Sequence, residues 1–160
     1  LFLRPSELGG LMWEEVNMEA SELRIKPERM KMRQLHIVPL AKQAKAILKD
    51  IQTLTGDGIF AFPSRISTIK PISENTLNQA LKRIDFGDEI VAHGFRAMAS
   101  TLLNEQKGAH GFNSDVIERQ LAHGERNSVR ASYNHAEYLA ERKKLMQWWA
   151  DYLDGLRSIN

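Results

Sequence analysis

The fold is constrained above all by two short apolar segments in the first quarter of the chain, which precede long stretches of helical periodicity. Residues 22–27 alternate between polar and apolar side chains, and His36–Pro39 carries the β-branched pair Ile37 and Val38. Short segments of this kind predict β-strands. We expect the two strands to pair as an antiparallel hairpin connected by residues 28–33.

Most of the remaining sequence has the spacing of amphipathic helices. In residues 41–54, Leu48 and Ile51 lie on one apolar stripe, and Gly56 follows the last turn. This pattern is typical of a helix that packs one face on a core. The same reasoning predicts helices over residues 5–13, 74–84, 93–104, 114–122 and 137–156, a short strand over 58–62, and loops over 63–73 and 107–113. The sequence therefore predicts an α+β fold that is mainly α-helical.

Length and composition indicate one domain. A chain of 160 residues with 42% hydrophobic content can form a single core, and a domain of this size buries roughly 70% of its unfolded surface. The absence of cysteine excludes disulfides and thiolate zinc sites, which fits a reducing cytoplasm. No apolar stretch approaches the roughly 20 residues that are needed to span a bilayer. We therefore expect a cytoplasmic protein without a membrane partner.

Basic residues are concentrated near the predicted hairpin, although the net charge of the chain is only +2. Between positions 22 and 46 the acidic residues are Glu22 and Glu28, and the basic residues are Arg24, Lys26, Arg29, Lys31, Arg33, Lys42 and Lys45. Such a cluster is either an ordinary solvated face or a surface that binds phosphates. The total charge does not separate these two interpretations.

Cations, histidines and a tyrosine occur in a pattern that suits chemistry on a phosphate. The segment AHGFRAMASTLL places His93 and Arg96 three residues apart, on one face of the predicted helix. His123 closes the apolar stretch RQLAHG, Tyr133 follows ten residues later, and Arg4 lies in RPSEL. The planar fork of arginine can hold two phosphate oxygens. A phenol, with an ordinary pKa of about 10, needs a proton acceptor before it can attack.

These motifs, in this order, resemble the catalytic domain of the tyrosine recombinases, most closely that of prophage and satellite-phage integrases, over essentially the whole chain. The resemblance implies the fold of that domain, with a small antiparallel β-sheet on one side. It also implies that 1–160 is a single catalytic domain from the carboxyl-terminal part of a longer integrase, without its amino-terminal DNA-binding domains. Members of the family exchange DNA strands through a 3′-phosphotyrosine intermediate and a free 5′ hydroxyl, with neither a metal ion nor another cofactor.

The resemblance assigns roles to the residues that match its motifs. Arg4 and Arg96 would stabilise the transition state, and Tyr133 would make the attack. Lys31 of RMKMRQLHIVPL would protonate the leaving oxygen, and His93 would take the acid and base role. His123 would form a hydrogen bond with the phosphate. Contacts to the DNA are expected from Arg29, Arg33, His36 and Lys42. Glu7 is expected to support Arg4 rather than to react.

The resemblance also implies partners. These are double-stranded DNA attachment sites, further copies of the full-length protein in a tetrameric synapse on that DNA, and accessory DNA-bending proteins. Action would take place at the bacterial nucleoid, during prophage integration or excision. Two other functions fit the same residues: a type IB topoisomerase, and an integrase remnant that binds DNA without cleaving it.

Two of the assigned roles have rivals within the sequence. Tyr138 is the alternative nucleophile to Tyr133, although it lies farther from His123. A different register of the hairpin would give the role of Lys31 to Lys26, Arg29 or Arg33.

Overall fold

The computed structural model describes residues 1–31, 33–122 and 138–157. In chain order, the described helices and strands are α1 (Pro5–Gly9), β1 (Val16–Asn17), β2 (Glu22–Ile25), β3 (His36–Pro39), α2 (Lys42–Thr55), α3 (Glu74–Arg83), α4 (Gly94–Glu105), α5 (Lys107–His110), α6 (Ser114–Gln120) and α7 (Leu139–Arg157). Single turns of 3-10 helix occupy Trp13–Glu15 and Pro27–Arg29. The described chain is mainly helical with one small antiparallel sheet, so the predicted fold class is confirmed.

The sheet consists of three antiparallel strands in the order β1, β2, β3. Between β2 and β3, Leu23 lies opposite Val38 and Ile25 lies opposite His36. Leu23, Ile25 and Val38 are fully buried, so this face of the hairpin covers a core. The predicted hairpin is confirmed. Strand β1 was not predicted, because a strand of two residues is too short to show an alternating pattern.

The strand predicted over residues 58–62 is wrong. In this stretch Phe60 forms an isolated bridge with Met12 and no strand develops around it. The Ala61 N–H donates to the Leu11 carbonyl over 2.8 Å. These contacts join the segment after α2 to the segment after α1, but they are too few to continue the sheet.

The first helix is shorter than the predicted range of 5–13, because α1 ends at Gly9. A second glycine follows at Gly10, and glycine in a helix interior costs about 1 kcal/mol relative to alanine. Beyond this pair, the Trp13 N–H donates to the Ile59 carbonyl over 3.0 Å instead of continuing the helix. Tertiary pairing therefore overrides the helical spacing of the apolar residues.

The predicted loop over residues 107–113 contains the short helix α5, so this prediction is also wrong in part. Gly111 follows α5 with a φ of 71°, in the left-handed region that glycine adopts without strain. The His110 ring contacts the Leu103 carbonyl over 2.7 Å and accepts from the Phe112 N–H over 2.9 Å.

Helix α2 extends from Lys42 to Thr55, which confirms the helix predicted over residues 41–54 within one residue at each end.

Two clusters of buried side chains form the core. The sheet-side cluster comprises Leu3, Leu11, Leu23, Ile25, Met30, Val38, Leu40, Leu48 and Ala61. The helical cluster comprises Phe2, Ala99, Leu103, Val116, Ile117, Leu121, Leu145, Met146 and Trp149. Phe2 and Leu3 are neighbours in the chain but belong to different clusters, so the segment before Arg4 is held from both sides.

Helix α7 packs its apolar stripe on the helical cluster. Trp149 is 6% exposed and meets the Phe2 ring edge-on at a centroid distance of 5.7 Å. Trp148 stacks on Tyr152 at 5.3 Å. No helix in the described part of the chain is long and apolar enough to cross a membrane.

Candidate functional site

Arg4 lies immediately before α1 and is fixed by Glu7, three residues later. Its Nη1 donates to Glu7 Oε1 over 2.6 Å, and its backbone N–H donates to Glu7 Oε2 over 2.8 Å. The Glu7 side chain is 3% exposed. Pro5 starts the helix, and proline is favoured there because its fixed φ suits the first turn. Glu7 supports Arg4 in the structure, as the sequence analysis predicted.

Arg96 lies in the first turn of α4 and is only 6% exposed. Its Nη1 donates to the carbonyl of Phe2, and its Nη2 donates to the carbonyl of Leu121. A guanidinium carries five N–H donors, so these two bonds leave others to bind an anion. Arg96 therefore ties the segment before Arg4 to the end of α6.

The two arginines share one electrostatic environment. Burial lowers the pKa of Arg96, and the positive charge of Arg4 lowers it further. Glu7 and Glu118 act in the opposite direction. Two neighbouring cations repel one another, and an anion between them would relieve that repulsion. We call Arg4 and Arg96 the arginine pair.

His93 lies at the amino end of α4, one turn before Arg96. Its side chain is exposed, and its carbonyl accepts from the Arg96 N–H over 3.1 Å. The structure thus places an accessible imidazole and a buried guanidinium at the same end of one helix. This placement agrees with the spacing that the sequence analysis used.

The four candidates for the general acid, at the hairpin connection between β2 and β3, differ in their ion pairs and in their exposure. Lys26 donates to Glu14 Oε1 over 2.7 Å, and this hydrogen bond, the largest contribution, raises the pKa of Lys26. Arg29 is ion-paired with the buried Glu15. The side chains of Lys31 and Arg33 are exposed and make no ion pair with any residue that the structure describes. This contrast favours Lys31 and Arg33 over their two rivals.

Two of the four residues predicted to contact DNA, His36 and Arg29, are wholly or partly buried in the structure. His36 is 5% exposed, and burial, followed by the charges of Arg142, Arg119, Arg96 and Arg4, lowers its pKa to about 3. Arg29 is partly buried and also donates to the Glu7 carbonyl over 2.8 Å. Arg33 and Lys42 are exposed, as a contact to a DNA backbone requires.

Two of the six residues with predicted catalytic roles, His123 and Tyr133, lie outside the described residues. The rival nucleophile Tyr138 is described, and it packs against the helical cluster just before α7. Its carbonyl accepts from the Arg142 N–H over 2.8 Å. This packing gives Tyr138 a structural role and favours Tyr133 as the nucleophile.

Gln120 and Arg142, which are both almost completely buried, were not predicted from the sequence. Arg142 precedes Leu145 and Trp149 by three and seven residues, so it lies on the apolar stripe of α7. An arginine on an otherwise apolar stripe is the signal in the sequence that could have identified Arg142, because a charge is rarely buried without partners.

A second feature next to the arginine pair is an apolar groove of about 430 Å³. Its lining comes mainly from the segment before α1 and from α1, α3, α4 and α7, and it includes Leu8, Leu77, Leu81, Phe95, Met98 and Leu153. Arg96 is the charged residue in its wall, and the other lining residues are apolar. The groove does not suit a phosphate, which needs several polar donors.

Within the described residues, no three histidine or acidic side chains come together in a group that could hold a metal ion. The described site therefore consists of the arginine pair, His93 and the exposed cations of the hairpin.

A sequence profile of the Phage integrase family matches residues 2–139. The chain belongs to the phage integrase family. The family resemblance inferred from the motifs is thereby confirmed. The chain is 47% identical to prophage integrase IntA of Escherichia coli strain K12, over 97% of this chain and 37% of the relative. It is 43% identical to the integrase of Enterobacteria phage P4, over 98% of this chain and 38% of the relative.

This integrase-family chain thus spans about two fifths of the length of the curated relatives that it matches. Its fold is similar to the crystal structure of XerA recombinase, with a TM-score of 0.61 and 19% sequence identity. That match covers 91% of this chain and 53% of the other. The likeness confirms the tyrosine recombinase fold.

Proposed function

We propose that this chain is the catalytic domain of a site-specific tyrosine recombinase, which breaks and rejoins DNA during prophage integration or excision. The observation that carries the proposal is the buried Arg96, whose fork joins the segment before Arg4 to the end of α6. His123 is the second residue after Leu121, so one of the predicted phosphate ligands follows directly from an element that Arg96 holds.

The arginine pair would stabilise the transition state. A phosphodiester under attack becomes five-coordinate and gains negative charge on its nonbridging oxygens, and fixed donors stabilise that charge best. Arg4 is fixed by Glu7, and Arg96 by two carbonyls. We propose a reaction that is independent of a metal ion, because these side chains supply the positive charge.

The phenol of Tyr133 would attack the phosphorus atom, and its proton would pass to His93. The bond from phosphorus to the 5′ oxygen would break while Lys31 gives a proton to that oxygen, leaving a 3′-phosphotyrosine and a free 5′ hydroxyl. His123 would hydrogen-bond a nonbridging oxygen. In the reverse step the 5′ hydroxyl of a partner strand would attack the phosphotyrosine, which releases Tyr133 and completes the exchange.

Lys31, Arg33 and Lys42 would face the DNA, since their side chains are exposed. We assign His36 and Arg29 to the support of the site instead, because His36 is buried and Arg29 is held by Glu15 and by the Glu7 carbonyl. The partners of the full-length protein would be attachment-site DNA, further copies in a tetrameric synapse and accessory DNA-bending proteins.

The test uses the full-length polypeptide that contains this chain and a nicked duplex copied from the DNA junctions that flank its gene. The nick lets the cleaved strand diffuse away, so a covalent adduct accumulates and shows on a denaturing gel. We expect the unmutated protein and Tyr138→Phe to form the adduct, and Tyr133→Phe to form none. An adduct with Tyr133→Phe would refute the assignment of the nucleophile, and no adduct with the unmutated protein would refute the proposed function.

A further inference from the structure

Arg142 is a buried cation on the helix that follows the nucleophile segment. It lies in α7 and is 1% exposed. Its Nε donates to Gln120 Oε1 over 2.9 Å, and its Nη2 donates to the Ile37 carbonyl. A buried charge is tolerated only where hydrogen bonds replace its lost hydration. Arg142 therefore links α7 to both α6 and β3.

Gln120 connects Arg142 to the segment before Arg4. It is 0% exposed, and its Nε2 donates to the Leu1 carbonyl through a long hydrogen bond of 3.4 Å. The next residue, Leu121, gives its carbonyl to Arg96, which also binds the Phe2 carbonyl. The end of α6 is therefore joined to the segment that leads to Arg4 at two places: Gln120 bonds directly to Leu1, and Arg96 bridges Leu121 to Phe2.

The other bond of Arg142 reaches the strand beside the arginine pair. Ile37 follows His36, whose pKa responds to the charges of Arg142, Arg96 and Arg4. The guanidinium of Arg142 thus acts on the same imidazole as both members of the arginine pair. The Arg142 guanidinium does not take over the phosphate-binding role of Arg4 or Arg96, because protein groups hold it on two sides.

We propose that Arg142 is a positioning residue for strand cleavage, which fixes the arginine pair through Gln120 and the end of α6. This inference rests on the proposed function. A guanidinium donates to Gln120 and Ile37 from two separate nitrogens held in a rigid plane, whereas the donors of a lysine all lie on one atom. Loss of the link would displace the arginine pair, and a misplacement of about 1 Å can cost about 100-fold in rate.

The test uses the full-length polypeptide and two forms of the nicked duplex described above. One form has an ordinary phosphodiester at the cleavage position, and the other has a neutral methylphosphonate there. Single-turnover cleavage at saturating DNA separates chemistry from binding. The ratio of the two rates reports the placement of the arginine pair, because that pair acts mainly on the charge that the methylphosphonate lacks.

We expect Arg142→Met to cleave the phosphodiester about 100-fold more slowly, with an unchanged Kd for DNA. The ratio of phosphodiester to methylphosphonate rates should fall by about tenfold. Arg142→Lys should recover only part of the rate. Lys143→Met removes an equal charge from an exposed position of the same helix, so it should match the unmutated protein in both rates.

Gln120→Leu is the second variant, and it leaves the bond from Arg142 to Ile37 in place. Should Arg142→Met fail to fold by circular dichroism, Gln120→Leu decides alone, with an expected loss of about tenfold and a lowered rate ratio. Folded variants that keep the rates of Lys143→Met, or that lose both rates by the same factor, would overturn the proposal. No adduct with the unmutated protein would instead overturn the proposed function.

Discussion

Arg96 and Lys31 are assigned to the same phosphate, but their surroundings differ. Arg96 is 6% exposed and holds two backbone carbonyls. Lys31 is exposed, and its side chain forms no ion pair within the described ranges. A group that stabilises charge works best when it is fixed in advance. A proton donor must reach a leaving oxygen and then give up its proton, which suits a side chain that protein groups do not hold.

Replacement of Arg96 should have the largest effect, because this residue serves both the reaction and the fold. We expect Arg96→Ala to slow single-turnover cleavage by about 1,000-fold. It should also lower the melting temperature, since two buried carbonyls lose their donor at a cost of about 1–3 kcal/mol each. Circular dichroism and the nicked-duplex assay measure the two effects. A variant that melts earlier but cleaves at the normal rate would show that Arg96 is only structural.

Replacement of Lys31 should affect the reaction alone. Lys31→Ala is expected to slow cleavage by about 100-fold, without a change in melting temperature, because the side chain is exposed. A substrate with sulfur in place of the bridging 5′ oxygen should restore the rate, since a thiolate leaves without a proton. Arg33→Ala is the matched control and should need no such rescue. If sulfur rescues Arg33→Ala and not Lys31→Ala, the general acid is Arg33.

His36 is the first residue of β3, directly after the exposed hairpin connection. Its buried side chain should make the free energy of unfolding depend on pH. Its pKa is lowered from 6.5 to about 3 in the folded chain. Below pH 6.5 the unfolded chain therefore binds a proton that the folded chain does not, so stability falls as the pH drops from 6.5 towards 3. The expected slope is about 1.4 kcal/mol per pH unit.

Urea unfolding across this pH range measures that slope. His36→Gln should remove it, and the exposed control His93→Gln should retain it. A slope that survives in His36→Gln would mean that other groups cause the loss of stability in acid.

Local sequence patterns were sufficient to predict several parts of the molecule. The hairpin could be predicted because apolar residues alternate in β2 and a β-branched pair lies in β3, and α2 because its stripe ends at a glycine. The carboxyl end of α1 could not be predicted, because bonds to residues 59–61 direct the chain that follows the helix. Boundaries that depend on distant backbone groups have no local signal.

The same distinction holds for the site. The spacing of His93 and Arg96 is local, and it correctly predicted that they share one end of a helix. Burial and the charges of arginines that are far away in the sequence lower the pKa of His36, so its neutral state could not be foreseen. The link from Arg142 to Gln120 spans 22 residues, and only the fold brings the two side chains together.

The position of the covalent bond to DNA tests the central claim most directly. The adduct from the nicked duplex would be digested with nuclease and trypsin. Cleavage after Arg130 and Arg142 gives a single peptide, ASYNHAEYLAER, which contains both Tyr133 and Tyr138. Fragmentation in a mass spectrometer then locates the remaining nucleotide. We predict that it lies on Tyr133, and a nucleotide on Tyr138 or on a residue outside this peptide would contradict the account.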